Sequence, residues 1–240
     1  VKEETVLIIG ASGEIGEAVI HQLNAPNKRF ILHYSQNKRR IEQLVNQLNQ
    51  DQVLMTVQAN LSKNEEIHQL IDSIPFHIDA IVFAQGQASH QMLTDLSDSL
   101  MDELYHVHVK ATALITKAFL PDLIKQRKGN IIVISSIWGE LGSSNEVWYS
   151  TMKGAQIAFV RSLAKEVGRS GVRVNAVTPG LINTKMNSGL SEVDVEEWID
   201  EVPLNRCGTV EEVAKCVAFL CSDESSYVNG HTLRVNGGIY

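Results

Sequence analysis

Seven short apolar runs punctuate this chain, and each is continuous rather than alternating: TVLII (5–9), RFILHY (29–34), VLMTV (53–57), DAIVFA (79–84), NIIVIS (130–135), VRVNAV (172–177) and HTLRVN (231–236). A strand with one wet face shows every second residue apolar, whereas a strand covered on both faces is apolar throughout. Between the runs lie segments of helical period, such as IEQLVNQL, EEIHQLIDSI and EEVAKCVAFL. This order predicts an α/β fold: a doubly wound, seven-stranded parallel sheet with helices on both faces. Right-handed crossovers then leave ligand sites outside the carboxyl ends of the strands.

The chain of 240 residues is long enough for one large core, so residues 1–240 are expected to form a single domain. No repeat, linker or low-complexity stretch interrupts it. The longest excursion, about 181–207 after Pro179-Gly180, is expected to act as a substrate lid.

Composition narrows the function. No apolar run approaches the ~18 residues of a membrane span, and VKEETVLIIG enters a strand without a charged leader, so a cytoplasmic protein is expected. Cys207, Cys216 and Cys221 have no CxxC spacing and read as packing residues in a reducing compartment. A net charge of -7 argues against nucleic acid as a partner. The eight histidines are scattered, with no metal-ligand cluster, so no metal is expected.

Directly after the first run comes GASGEIG, Gly10 to Gly16. Glycines at 10, 13 and 16 allow a tight turn, close approach of backbone to a pyrophosphate, and a helix from about Ile15 whose N-terminus faces the anion. An ordinary strand-to-helix turn is the alternative, but the position in a βαβ unit at the start of the chain favours a Rossmann-like dinucleotide turn. A carboxylate at the end of the second strand would favour NAD. The sequence there is HYSQNKRR, His33 to Arg40, which has no carboxylate and places Lys38, Arg39 and Arg40 after small polar groups, so NADP(H) is the expected cofactor.

Tyr149 and Lys153 are one helical turn apart and point to the same side of a helix beginning near Tyr149. Ser136 ends the strand NIIVISS and can face the same cleft. A free tyrosine titrates near ~10, and an ammonium at ~5 Å in an effective dielectric of ~20 contributes about 3 kcal/mol, enough to bring the phenol toward neutrality. Tyr149 is therefore assigned as proton donor, Lys153 as the group that lowers its pKa and holds ribose, and Ser136 as hydrogen-bond donor to a carbonyl oxygen. A nicotinamide would supply hydride.

With these residues in view, the chain resembles the short-chain dehydrogenase/reductase family from Thr5 to its end. Gly10 to Gly16 matches the family's cofactor turn, Ser136, Tyr149 and Lys153 its catalytic core, and Asn175 with Pro179-Gly180 the strand that closes on the nicotinamide. Pro203 to Gly238 is similar to the C-terminal region of 3-oxoacyl-acyl carrier protein reductases. The resemblance implies NADPH-dependent reduction of a ketone to a secondary alcohol by a cytoplasmic homotetramer, and the apolar helices from about Leu100 and Tyr149 fit such an assembly or a homodimer. It also implies cofactor contacts from Ser12, Glu14, Ile15, Tyr34, Ser35, Asn37, Lys38, Asn60, Leu61, Ala84, Gly86, Ile182 and Thr184, besides the glycines, Tyr149, Lys153, Pro179 and Gly180.

The chain departs from the family at several points. Glu14 replaces a glycine, Ile9 a threonine, and Phe83-Ala84-Gln85-Gly86 the usual Asn-Asn-Ala-Gly. Asn60 replaces an aspartate beside adenine. His108 stands where an asparagine holds a water of the proton relay, and imidazole can both donate and accept. Trp138, Glu140 and Trp148 flank the catalytic residues and are the expected substrate contacts. The lid adds Glu192, Asp194, Glu196, Glu197, Asp200 and Glu201, with no Lys or Arg between Lys185 and Arg206. An acidic carrier protein would be repelled there unless it docked elsewhere, for instance near Arg127, Arg161 and Arg169. SSIWGE and YSTMKGAQ are also similar to a branch that reduces a 5-aminopentanone group on elongation factor P, whose amine would suit Glu140. A non-catalytic NADPH-binding sensor or scaffold is a further alternative, against which the intact Ser136, Tyr149 and Lys153 argue.

Overall fold

The computed structural model describes residues 2–185 and 192–240. All seven apolar runs form strands: β1 (Glu4–Ile9), β2 (Lys28–Tyr34), β3 (Val53–Gln58), β4 (Ala80–Phe83), β5 (Gly129–Ile134), β6 (Val172–Pro179) and β7 (Thr232–Val235). They pair in parallel as one sheet in the order β3-β2-β1-β4-β5-β6-β7.

The helices are α1 (Glu14–Leu23), α2 (Lys38–Gln47), α3 (Asn64–Asp72), α4 (Asp98–Tyr105), α5 (Ala111–Gln126), α6 (Trp138–Leu141), α7 (Val147–Val167), α8 (Glu192–Glu201) and α9 (Val210–Cys221). In the central strands alternate residues enter opposite cores. Leu7, Ile9, Ile31, Phe83 and Val133 pack with Ile67 and Leu70 of α3, Ile115 of α5 and Val160 of α7. Val6, Ile8, Phe30, Leu32 and Ile132 pack with Ile20 of α1, Leu44 of α2 and Val217 of α9. That division explains the continuous apolar runs of the central strands, where both faces are covered; the edge strands β3 and β7 keep exposed polar residues such as Thr56, Gln58 and Arg234.

Local signals set several helix ends. Asn37 caps α2 by accepting from Arg40 N, Ser97 caps α4, and Thr209 with Glu212 forms a capping box at α9. The helix expected from about Leu100 is not uniform. His106–Lys110 form a π-helical turn between α4 and α5, in which the Ala111 amide reaches back to His106 O. Such turns insert one extra residue and recur at functional sites.

Of the expected lid, residues 186–191 lie outside the described residues, as do the side chains of Glu192 and Asp194. Its base is fastened by a bridge between Ile182 and Gly208, with Asn183 N donating to Gly208 O and Gly208 N to Leu181 O. Among the described residues no helix is long and apolar enough to cross a membrane. No group of three potential metal ligands occurs there either. The three cysteines are free thiols.

Candidate active site

The sheet order reverses at β1 and β4, and a cleft of about 570 Å³ opens outside the carboxyl ends of the strands at that point. Its walls come from the turn after β1, the ends of β2 and β3, residues 84–88 after β4, 134–138 after β5, 179–185 after β6, and Trp198 and Glu201 of α8.

At the cofactor end, Gly10 has φ +86°, and a Cβ there would meet Gln85 N at 2.6 Å, so the turns after β1 and β4 touch backbone to backbone. His33, buried at the end of β2, braces the turn. Its Nδ1 accepts from Gly10 N at 3.1 Å and its Nε2 lies 3.0 Å from Ala59 O. Because Gly10 N can only donate and Ala59 O can only accept, the ring is neutral with its proton on Nε2. Burial agrees, lowering its pKa to about 4. Gly13 is the N-cap of α1 and has no side chain to cap it. The amides of the first turn therefore open on the cleft beside Ser12, Glu14 and Ile15, a donor set suited to a diphosphate.

Most of the expected cofactor residues line this cleft: Gly10, Ser12, Gly13, Glu14, Ile15, Ser35, Asn37, Asn60, Leu61, Ala84, Gly86, Pro179, Gly180, Ile182 and Thr184. Three do not. Gly16 is buried under the turn, where a Cβ would run into Gly10 O. Tyr34 is buried in the α1/α2/α9 core. Lys38 points outward and lies 3.8 Å from Glu42 one turn along α2. Of Lys38, Arg39 and Arg40, the one that lines the cleft is Arg40, whose Nε donates to Glu17 at 2.6 Å.

At the catalytic end, Ser135 N donates to Val177 O and Ser135 Oγ to Lys153 O, pinning the end of β5 to β6 and α7. Gly139 of α6 lies so close to α7 that a Cβ would come within 2.7 Å of Lys153 C and 2.9 Å of Gly154 N. These contacts place Ser136, Tyr149 and Lys153 on one wall. Lys153 is 3% exposed, donates to Ile134 O at 3.1 Å, and has Nζ 5.5 Å from the Tyr149 ring centre.

The electrostatics differ from expectation. Burial pushes the Tyr149 phenol above its ordinary value, Glu146 adds to the rise, and the hydrogen bond with Ser136 opposes it. Burial also lowers Lys153 to about 7. Desolvation acts against both charged forms, and it overrides the attraction by which Lys153 was expected to bring Tyr149 toward neutrality. Tyr149 is consequently held as the protonated phenol, the form that donates.

His108 lies in the π-turn, 0% exposed, and does not line the cleft. Its ring meets Tyr149 edge to face with centres 5.6 Å apart. Nε2 lies 2.9 Å from Gln87 O, an obligate acceptor, so Nε2 carries the proton. Burial first, and Lys153 second, lower its pKa to about 3. His108 is thus neutral, and its buried Nδ1 is a lone-pair acceptor without a partner among the described residues. The His108 carbonyl already accepts from Thr112 Oγ1 and Gln156 Nε2.

Two of the three expected substrate contacts are corrected. Glu140 lies outside the cleft lining and is committed to Thr178 Oγ1 at 2.8 Å and Arg234 Nη2 at 2.9 Å. Trp148 is also outside the lining and donates its indole N–H to Met101 O. Trp138 lines the cleft and packs edge to face on Trp198 of α8, with ring centres 5.4 Å apart. The carboxylates that do line the cleft here are Glu103, Glu146 and Glu201. Glu146 is 4% exposed, and its Oε1 is 3.5 Å from His90 Nδ1. Sequence reasoning missed Glu146 and His33. The available signals were a glutamate three residues before the tyrosine and a histidine one residue before the end of the second run.

A family model described as Enoyl-(Acyl carrier protein) reductase matches residues 10–240. The chain is 40% identical over 237 residues to an uncharacterized oxidoreductase of Bacillus subtilis, YmfI, covering 98% of each. It is 37% identical to the 3-oxoacyl-[acyl-carrier-protein] reductase FabG of Aquifex aeolicus, covering 98% of this chain and 87% of that one. A crystal structure from Brucella melitensis, described as a short-chain dehydrogenase/reductase and glucose/ribitol dehydrogenase, superposes with a TM-score of 0.90 at 27% identity, covering 100% of this chain and 97% of that one.

Proposed function

The chain belongs to the short-chain dehydrogenase/reductase family of oxidoreductases, and from that premise we propose that it reduces a ketone to a secondary alcohol with NADPH. The observation that carries this reading is the placement of Ser136, Tyr149 and Lys153 on one wall of a cleft whose other end is the glycine turn. NADPH when bound supplies hydride to the carbonyl carbon. Ser136 donates a hydrogen bond to the carbonyl oxygen and Tyr149 gives up its phenolic proton to it. Lys153 steadies the tyrosinate left behind, and the neutral His108 accepts at Nδ1 within the relay that returns a proton. Ser35, Asn37 and Arg40 line the adenosine end and β2 ends without a carboxylate, which supports NADPH over NADH; the guanidinium of Arg40, paired through Nε with Glu17, is the group that would meet the 2′-phosphate.

The similarity to FabG proteins makes a 3-oxoacyl thioester the first substrate to try, in a cytoplasmic homotetramer such as that family suggests. Arg127 matches a carrier-docking arginine of those reductases and donates to Arg169 O, while Arg169 itself is displaced by one position from their pattern. A second reading, an amino ketone such as the 5-aminopentanone group on elongation factor P, is favoured by Glu103, Glu146 and Glu201 beside Trp138 and Trp198, since carboxylates and aromatic faces both attract an ammonium. One assay tests both. NADPH consumption is followed with a 3-oxoacyl thioester, free and carrier-bound, and with a primary-amine ketone, against NADH. Turnover of either ketone that is lost in Tyr149→Phe supports the reductase; NADPH binding with no turnover of any ketone favours a sensor or scaffold.

A further inference from the structure

Two buried glutamines hold the π-helical turn His106–Lys110, and the proposed reduction leaves both without a role. An α-helix would give the Ala111 amide to Val107 O, four residues back, but here it serves His106 O. Val107 O accepts from Gln85 Nε2 at 3.2 Å, from the turn after β4. The same Nε2 lies 3.1 Å from Thr112 Oγ1, which in turn donates to His108 O at 2.8 Å. From α7, Gln156 Nε2 donates to His108 O at 2.9 Å. The turn is thus gripped from two elements that carry parts of the candidate active site.

Gln156 follows Lys153 by three residues and Tyr149 by seven, so helical period puts all three on one buried face of α7. His108 O can only accept, so the amide nitrogen faces it and Oε1 is left without a partner among the described residues. A buried amide oxygen in that condition lowers stability, and the His108 carbonyl keeps a donor in Thr112 even without Gln156. Fold stability therefore gives little reason for a glutamine here. What its bond fixes is place. The His108 backbone is tied to the helix that carries Tyr149 and Lys153, while its ring is tied through Nε2 to Gln87 O and meets Tyr149 edge to face.

Resting on the reductase reading above, we infer that Gln156 is a positioning residue, whose amide sets His108 against Tyr149 and Lys153 through the His108 carbonyl. Gln156 lies outside the cleft lining, so its effect on the reaction passes through His108.

Gln156→Met keeps the length and apolar stem of the side chain and removes the amide. In the intact protein, kcat for the best ketone is expected to fall about 10-fold, the scale of a slight misplacement of a reacting group. NADPH affinity, from fluorescence titration, is expected to be unchanged and the urea midpoint unchanged or raised, because a buried oxygen without a partner among the described residues has gone. In a His108→Phe background, which keeps a ring beside Tyr149 but no ring nitrogen, the same substitution is expected to cost less than about twofold, since two residues acting through one contact are not additive. An equal loss in both backgrounds, or a single variant with kcat within about twofold of the wild type, would overturn the role. A second measurement needs no ketone. In nucleotide-free protein with 15N-labelled histidine, the Nε2 proton of His108 is expected to exchange with solvent about 10-fold faster in Gln156→Met than in the wild type, and unchanged exchange would overturn the positioning. Faster exchange in a protein that reduces no ketone would overturn the reductase reading and leave Gln156 as the residue that places His108.

Discussion

Replacing Gly139 by alanine should damage catalysis without touching a reacting group. The added Cβ would lie 2.7 Å from Lys153 C, 2.9 Å from Gly154 N and 2.9 Å from Lys153 Cβ, all parts of α7 that cannot rotate away. Restoring ordinary contact of about 3.7 Å requires α6 and α7 to separate by about 1 Å. Ser136 lies just ahead of α6, while Tyr149 and Lys153 ride on α7, so the separation falls between the carbonyl donor and the proton donor. A misplacement of about 1 Å costs on the order of 10²-fold in rate, and overpacking of this kind costs about 1–3 kcal/mol of stability. Steady-state reduction of the best ketone should show kcat lower by roughly two orders of magnitude, with NADPH affinity changed much less. Urea unfolding should give the accompanying stability loss. Gly142→Ala is the control: nothing among the described residues lies within 4 Å of its Cβ, and the cost there is backbone strain at φ +78°. A Gly139→Ala protein with kcat within twofold of the wild type would refute the close-packing argument.

Other outcomes follow from the same geometry. Lys153, lowered to about 7, carries its proton below that pH and loses it above, so kcat/KM for ketone reduction should fall as pH rises from 7 to 9; a flat profile would sink the assignment of its ammonium. His33 and His108, lowered to about 4 and about 3, bind no proton in the native state near neutrality, whereas an unfolded histidine takes one up below about 6.5. Their contribution to stability is full above that pH and declines as pH falls toward 4, by about 1.4 kcal/mol per unit for each ring, measurable by urea unfolding at pH 7, 6 and 5. His33→Leu removes the acceptor of Gly10 N and should cost about 1–3 kcal/mol and weaken NADPH binding measured by fluorescence titration. Glu146→Gln should slow an amino ketone more than a neutral one; equal effects on both would remove the support for a cationic substrate.

Strand positions, layer order and the cofactor turn were legible in the sequence because they depend on local pattern. An apolar run between helical segments has one environment open to it, a sheet covered on both sides, and the spacing of Gly10, Gly13 and Gly16 acts within a single turn. Tyr149 and Lys153 were likewise fixed by helical period. What only the tertiary structure decided was long-range pairing and burial. Glu140 looked free for substrate until the fold brought Arg234 and Thr178 to it from 94 and 38 residues away. Lys38 looked suited to a phosphate, yet the turn of α2 carries Arg40 to the cleft in its place. His33 showed no role until β3 and the glycine turn met its two nitrogens. The direction of the Tyr149 shift depended on how much water the folded cleft excludes, because desolvation belongs to the whole enclosure and sequence spacing reports only which charges are near.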